Sequence, residues 1–273
     1  MTATAILDDA VQHAWPSRWV TDTGARLYQW QQQSIDDAGQ QIIVACSRRV
    51  GKTWAVSAKG GHHAATTPDG LTLAIAPVER QAKALFANIV RWLKVKSVPM
   101  KRTLALEAEL RNGHKIVALP GSSKTIRGTE KDPTMILLDE AAFASDELYY
   151  EAIDPMMSAG QTTMILLSTP FGKRGFFYDI WASKDPDWNR YRITAYESER
   201  IDPKWLEKKR RNVPARVFRQ EYLAEFTEMD DAVFTTAQIE YAMKQERPFF
   251  TNAGVIDVTG DPANVPFFME RRR

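Results

Sequence analysis

Apolar residues in this chain gather into short unbroken runs, separated by polar turns and by longer stretches of helical periodicity. Ile42-Ile43-Val44-Ala45, Leu71-Thr72-Leu73-Ala74-Ile75-Ala76, Met135-Ile136-Leu137-Leu138 and Met164-Ile165-Leu166-Leu167 are the clearest runs. A strand with one wet face alternates apolar and polar residues, whereas a strand covered on both faces reads apolar throughout, as in a parallel sheet between two helical layers. Between the runs, residues 54–65 and 79–93 carry helix-compatible patterns, and Pro68-Asp69-Gly70 reads as a turn. Residues 101–120 suit paired strands, with Asn112-Gly113 as the hairpin turn. Residues 191–195 read as a last strand. Beyond them Asp202-Pro203 opens a helix to Arg211, and Pro214 starts another to about Glu225. Near the N-terminus, residues 5–15 form a short amphipathic helix that packs either on this chain's own core or on a neighbouring subunit. Strands alternating with helices predict an α/β domain with a mostly parallel, twisted sheet.

The first apolar run leads into Cys46-Ser47-Arg48-Arg49-Val50-Gly51-Lys52-Thr53, followed by helix-compatible residues. A strand, a tight loop and a helix N-terminus are what binding of nucleotide phosphates requires: backbone N–H groups, one lysine charge, and a hydroxyl facing Mg²⁺. Gly51, Lys52 and Thr53 supply those parts, while Cys46 stands where the pattern G-x-x-x-x-G-K-[ST] has its first glycine.

The run 135–138 ends in Asp139-Glu140, which delivers two carboxylates to the C-terminal edge of the sheet, where ligands bind in open α/β folds. In this position Asp139 holds Mg²⁺ and Glu140 polarises the water that attacks the γ-phosphate; the plain alternative is a core strand followed by an acidic helix start. The run 164–167 ends in Ser168-Thr169-Pro170, hydroxyls that either sense the γ-phosphate or end the strand in an ordinary turn. Ahead of the phosphate loop, Trp30-Gln31 brings an aromatic and an amide able to read an adenine edge, with Gln29 as the competing amide.

Composition narrows the setting. A single cysteine excludes an intramolecular disulfide and suits a reducing cytoplasm. No apolar run approaches the length needed to span a membrane, and the N-terminus lacks a leader pattern, so an intracellular soluble protein without membrane partners is expected. The formal net charge of +2 neither demands nor excludes nucleic acid, since DNA binding needs a local patch. Lys173-Arg174 and Lys208-Lys209-Arg210-Arg211 are such runs; each serves either a DNA backbone or only solvation. His62-His63 has no second cluster of metal ligands with it and reads as packed or solvated.

The set Ser47 to Thr53, Leu137-Leu138-Asp139-Glu140-Ala141-Ala142 and Leu167-Ser168-Thr169-Pro170 resembles the ATPase domain of the large terminase subunit of tailed bacteriophages, and Phe218 to Phe226 resembles the segment that closes it. The resemblance covers residues 25–235. It implies a RecA-like (ASCE-type) P-loop fold with a small helical lid, ATP and Mg²⁺ as cofactors, and an ATP-driven motor that packages double-stranded viral DNA. Implied partners are a portal ring, a small terminase subunit and further copies in a ring, in the host cytoplasm. For site residues it implies nucleotide binding by Gln31 and by Ser47, Arg48, Val50, Gly51, Lys52 and Thr53, with Thr53 and Asp139 on the metal; Arg49 is counted with the nucleotide-binding loop but has no match to the family's loop arginine. Glu140 is the catalytic base and Thr169 the coupling residue. Arg48 either touches the γ-phosphate or pairs with a carboxylate that shapes the loop. Arg127, in Ile126-Arg127-Gly128, matches an arginine that reaches a neighbouring subunit's nucleotide; its alternatives are DNA contact or loop solvation.

The domain reading is an N-terminal helical segment (1–24), an ATPase core (25–196), a lid (197–228) and a tail (229–273) in which residues 254–258 could begin a nuclease domain. Asp257 and Asp261 alone cannot form a two-metal site, so no DNA cleavage is expected from these residues. Competing functions are a helicase-like ATPase on nucleic acid and a non-hydrolysing assembly module that uses nucleotide as glue.

Overall fold

The computed structural model describes residues 14–121, 131–228, 249–251 and 254–256. By contacts the chain divides into Met1–Thr227 and Glu228–Arg273. The first unit is built on an eight-stranded sheet of order β3-β4-β5-β2-β6-β7-β1-β8. Its strands are β1 (Gln41–Cys46), β2 (Leu71–Ala76), β3 (Met100–Thr103), β4 (Glu107–Leu110), β5 (Lys115–Pro120), β6 (Met135–Asp139), β7 (Thr163–Ser168) and β8 (Trp188–Ile193). The pairs β5–β2, β2–β6, β6–β7, β7–β1 and β1–β8 are parallel, and β3–β4–β5 is an antiparallel meander at one edge. The expected mostly parallel α/β fold is present.

The continuous apolar runs have their predicted physical cause. Ile42, Val44, Ala74, Leu137, Ile165 and Leu167 face one helical layer, where α3 (Lys52–Thr66) and α4 (Glu79–Val95) supply Val56, Leu85, Phe86, Ile89 and Leu93. The alternate residues Ile43, Leu73, Ile75, Ile136, Leu138 and Leu166 face the other layer, with Leu148, Tyr149 and Ile153 from a helical stretch over 146–159 and Phe176 and Phe177 from α5 (Gly175–Ala182). Short helices α1 (Pro16–Thr21) and α2 (Gln29–Asp36) close one flank, packing Trp19, Val20, Leu27 and Ile35 with Ala55, Ala58 and Trp92. Helices α6 (Pro203–Asn212) and α7 (Ala215–Leu223) have a small core of their own around Leu206 and Phe218. Asp202 caps α6 by accepting from the Lys204 N–H at 2.9 Å, as its Asp-Pro start implies.

Several expectations shift. The last strand lies three residues earlier than its apolar signal, because β8 is an edge strand whose Asn189 and Arg190 point partly to solvent, and Ala195 already sits in a 3-10 turn. The paired strands gain a third member, β3, largely exposed and of weak pattern. Asp139-Glu140 does not open a helix: Glu140 takes a left-handed backbone (φ 54°) and a single 3-10 turn follows. The helix expected over 5–15 falls mostly on residues outside the described ones. In the second unit, Phe249–Thr251 pairs antiparallel with Gly254–Ile256, where a strand was expected; Asp257 and Asp261 lie outside the described residues. Among the described residues no helix is long and apolar enough to cross a membrane.

At the end of the sheet away from the phosphate loop, His62 is buried and His63 half-buried, which fits the packed reading of that pair, and His114, to which the sequence assigned no role, packs beside them. Fully buried His114 has both ring nitrogens engaged, Nδ1 with the Thr67 carbonyl at 2.7 Å and Nε2 with Thr72 Oγ1 at 2.9 Å, while His63 Nε2 lies 2.9 Å from Thr134 Oγ1. The Thr67 carbonyl needs a donor, so His114 carries its proton on Nδ1 and accepts from Thr72. Burial, then the neighbouring His114, His62 and Lys59, pushes the His63 imidazole down to about 4, and burial also lowers His114. Both are therefore neutral in the folded state and protonate near pH ~6.5 when unfolded. Their contribution is fully present above that pH and is lost as pH falls toward about 4. Urea unfolding at pH 7 and 4.5 is expected to show a loss on the order of 1–3 kcal/mol that shrinks in a His63→Gln, His114→Asn variant. An unchanged pH slope in that variant would exclude the histidines as the cause.

Candidate nucleotide site

Three parallel strands end side by side. β7 lies between β1 and β6, with Ala45 opposite Ser168 and Asp139 opposite Leu167, so the loop after β1, the acids after β6 and the hydroxyls after β7 share one edge. The connection from β1 to α3 is the phosphate loop. Its turn is made at Arg49 (φ 64°) and Gly51 (φ 94°), the second a left-handed conformation that favours glycine. A Cβ built at Gly51 would also stand 3.1 Å from Gln31 Nε2, so the site has little room for one. Cys46 resolves the departure from the usual pattern: it still belongs to β1, has no positive φ, is fully buried, and points its thiol at the Ser168 carbonyl of β7 at 3.6 Å. Burial pushes that thiol up to about 12, so it is a neutral packing group.

Across the edge, Lys52 Nζ donates to Glu140 Oε1 at 2.8 Å and lies 4.0 Å from Asp139 Oδ1; Thr53 Oγ1 donates to Asp139 Oδ2 at 2.7 Å. The Glu140 N–H donates to Asp139 Oδ1 at 2.9 Å, which ties the two acids together. Burial opposes the Lys52 charge, yet the ammonium is held above its usual range. Because the Cys46 thiol is neutral, the two carboxylates are the physical source of that effect. Asp139 is raised by burial against the pull of Lys52. At the end of β7, Thr169 Oγ1 is buried with no hydrogen-bond partner among the described residues.

The loop is anchored from behind by α7. The Glu221 carbonyl accepts from Ser47 Oγ (3.0 Å) and from the Arg48 N–H (3.2 Å), and its carboxylate meets Arg48 Nε at 2.5 Å. Arg48 is thus carboxylate-paired here, the second of its two readings. Arg49 is exposed, and Val50 is fully buried beneath the loop. A cavity of about 920 Å³ opens over the loop, lined by Arg48, Arg49, Lys52, Glu140, Phe143 and Arg200 among others. A second, of about 770 Å³, lies between α2 and the segment after β8, lined by Gln29, Trp30, Tyr196 and Ser198 among others.

Gln31 is buried rather than on that second wall. Its Oε1 accepts from the Tyr28 N–H at 2.9 Å, capping its own helix, and its Nε2 approaches Gly51. Gln29 is the amide that lines the cavity. Arg127 lies outside the described residues. Of the two basic runs, Arg174 stacks on Phe171 and Lys209 on Trp205. Glu221 and Arg200 had no assigned role in the sequence: each meets the phosphate loop only through tertiary folding, and no local spacing marks such a contact.

Residues 43–241 match the family described as terminase large subunit, T4likevirus-type, N-terminal. The chain is 26% identical over 211 residues to the terminase large subunit of Escherichia phage T5, covering 74% of this chain and 48% of that protein. It is 24% identical over 243 residues to the corresponding subunit of Thermus phage G20c, covering 75% and 50%. The chain thus spans about half the length of the curated relatives it matches. In fold it is similar to the large terminase ATPase domain of Thermus phage P74-26 (TM-score 0.67, 20% identity, 76% of this chain and 97% of that one). It is also similar to the large terminase of a thermophilic bacteriophage solved in complex with ADP (TM-score 0.62, 13% identity, 74% and 54%). The chain therefore belongs to the N-terminal family of the terminase large subunit and has the fold of its ATPase domains.

Proposed function

We propose that this chain binds Mg·ATP on the loop Ser47–Thr53 and hydrolyses it to drive double-stranded DNA into a procapsid. The carrying observation is that Lys52 and Thr53 of the loop meet Glu140 and Asp139 across one sheet edge at 2.8 and 2.7 Å. Family membership supports packaging over the helicase-like alternative, and the paired acids favour turnover over a purely structural use of nucleotide.

The residues suit the cation as well as the nucleotide. Thr53 and Asp139 offer adjacent hard oxygens, and Thr169 adds a buried hydroxyl, without a partner among the described residues, at the end of the neighbouring strand. Thr53 and Asp139 would hold Mg²⁺, which, when bound, offsets charge on the phosphates. Lys52 exchanges its bond to Glu140 for one to phosphate oxygens, which frees the carboxylate. Glu140 then orients the attacking water and takes its proton as the bond between the γ-phosphorus and the ADP oxygen breaks. The left-handed backbone of Glu140, uncommon for a residue with a side chain, fits a position held for function. The γ-phosphate competes with Glu221 for Arg48, and Thr169 relays the phosphate state to α6–α7, acting as a lid. The ring, the portal and small-subunit contacts, and the entry of Arg127 into a neighbour's site rest on family membership.

Glu140→Gln is expected to lower turnover at least ~100-fold while keeping ATP affinity within a few-fold. Loss of binding with the turnover would assign Glu140 to structure alone. In a shared site, Arg127→Ala mixed with Glu140→Gln restores hydrolysis that neither variant shows, and wild-type activity rises more than linearly with concentration. Linear activity indifferent to Arg127 would refute sharing. Without nucleotide, Lys52→Met is expected to cost about 1–3 kcal/mol in urea unfolding, because it leaves two acids unanswered, and adding Glu140→Gln should recover part of that loss. Simple additivity of the two substitutions would contradict the internal pairing.

A further inference from the structure

The segment between β8 and α6 passes between the two cavities. Tyr196, Ser198 and Glu199 line the one beside Gln29, and Arg200 lines the one over the phosphate loop. Arg200 Nη1 stands 3.6 Å from the position a Cβ would take on Gly51, so its guanidinium overlies the turn that presents the loop amides. Two of the loop's own cations are committed to carboxylates, while exposed Arg49 lines the same cavity. Arg48 is held by Glu221 at 2.5 Å, and Lys52 is held by Glu140 at 2.8 Å. Arg200 is exposed and makes no ion pair or hydrogen bond among the described residues, although its neighbour Glu199 pairs with Arg26 at 3.3 Å. An arginine with no anionic partner among the described residues, poised over the N-terminus of α3, adds positive charge to an already positive helix end, an arrangement that favours a polyphosphate.

We propose that Arg200 is a nucleotide-binding residue acting within its own subunit: its guanidinium donates to phosphate oxygens at the Gly51 turn and fastens the 195–201 strap, which leads into α6, to the bound nucleotide. Ser198 supports a strap that closes on a ligand at both ends. Its hydroxyl is buried without a partner among the described residues, in the wall of the other cavity, where a nucleotide's base or sugar can supply one. The proposal rests on the nucleotide reading of the phosphate loop.

The test measures binding of fluorescently labelled ADP with Mg²⁺ to the full chain as wild type, Arg200→Gln, Arg200→Lys and Lys52→Ala, with protease protection of residues 195–212 as a second readout. The expected result is an Arg200→Gln affinity weakened about tenfold or more, as for a lost hydrogen bond to a charged group. Arg200→Lys should restore most of it, the melting temperature without nucleotide should be unchanged, and ADP should protect the strap in wild type but not in Arg200→Gln. An Arg200→Gln affinity within twofold of wild type overturns the proposal while leaving the phosphate-loop reading intact, provided that Lys52→Ala has lost binding. Failure of wild type to bind ADP, or undiminished binding by Lys52→Ala, overturns both.

Discussion

A lysine side chain only 11% exposed needs its charge answered, and Lys52 is answered by the two carboxylates that end β6. That pairing fixes much of the rest. It requires the β1 loop and the β6 terminus to lie at one edge within a lysine's reach, with β7 as the single strand between them. Parallel strands supply that geometry because every C-terminus points the same way, and burial on both faces keeps their ends from wandering. The two carboxylates share one ammonium, and the Thr53 hydroxyl and the Glu140 N–H donate to Asp139. Under the proposed function, nucleotide binding exchanges these partners for phosphate and cation.

The two ion pairs at the loop differ in kind. Lys52–Glu140 is largely buried, so removing one member strands the other. Arg48–Glu221 has an arginine side chain 64% exposed and contributes at most about 1 kcal/mol. The exposed pair is the easier one to break, and it joins the loop to α7. Other ties join α7 to the sheet: the Glu221 carbonyl accepts from Ser47 Oγ and the Arg48 N–H, and Arg192 of β8 donates to the Leu223 carbonyl.

Sequence legibility follows burial. Strands β1, β2, β6 and β7 announce themselves because both faces are covered, and the residues that the fold gathers at one edge, Gly51-Lys52-Thr53, Asp139-Glu140 and Ser168-Thr169, directly follow or end such runs. The edge strands β3 and β8 are half wet and polar, so their limits blur. Cys46 looks like a defect in a motif until its place in β1 shows that no glycine conformation is needed there. Gln31 carries the pattern of a base reader, yet its amide oxygen is committed to its own helix, a competition that residue type alone does not reveal. Glu221 and Arg200 come to the loop from far along the chain, and no periodicity encodes such meetings.

A crystal structure of the chain with Mg²⁺ and a non-hydrolysable ATP analogue tests the partner exchange most directly. The account predicts Lys52 Nζ on phosphate oxygens and away from Glu140, Thr53 Oγ1 released from Asp139 toward the cation, and the Glu140 carboxylate facing the γ-phosphate. Nucleotide bound with the 2.8 Å Lys52–Glu140 pair still closed, or bound elsewhere on the chain, would contradict it.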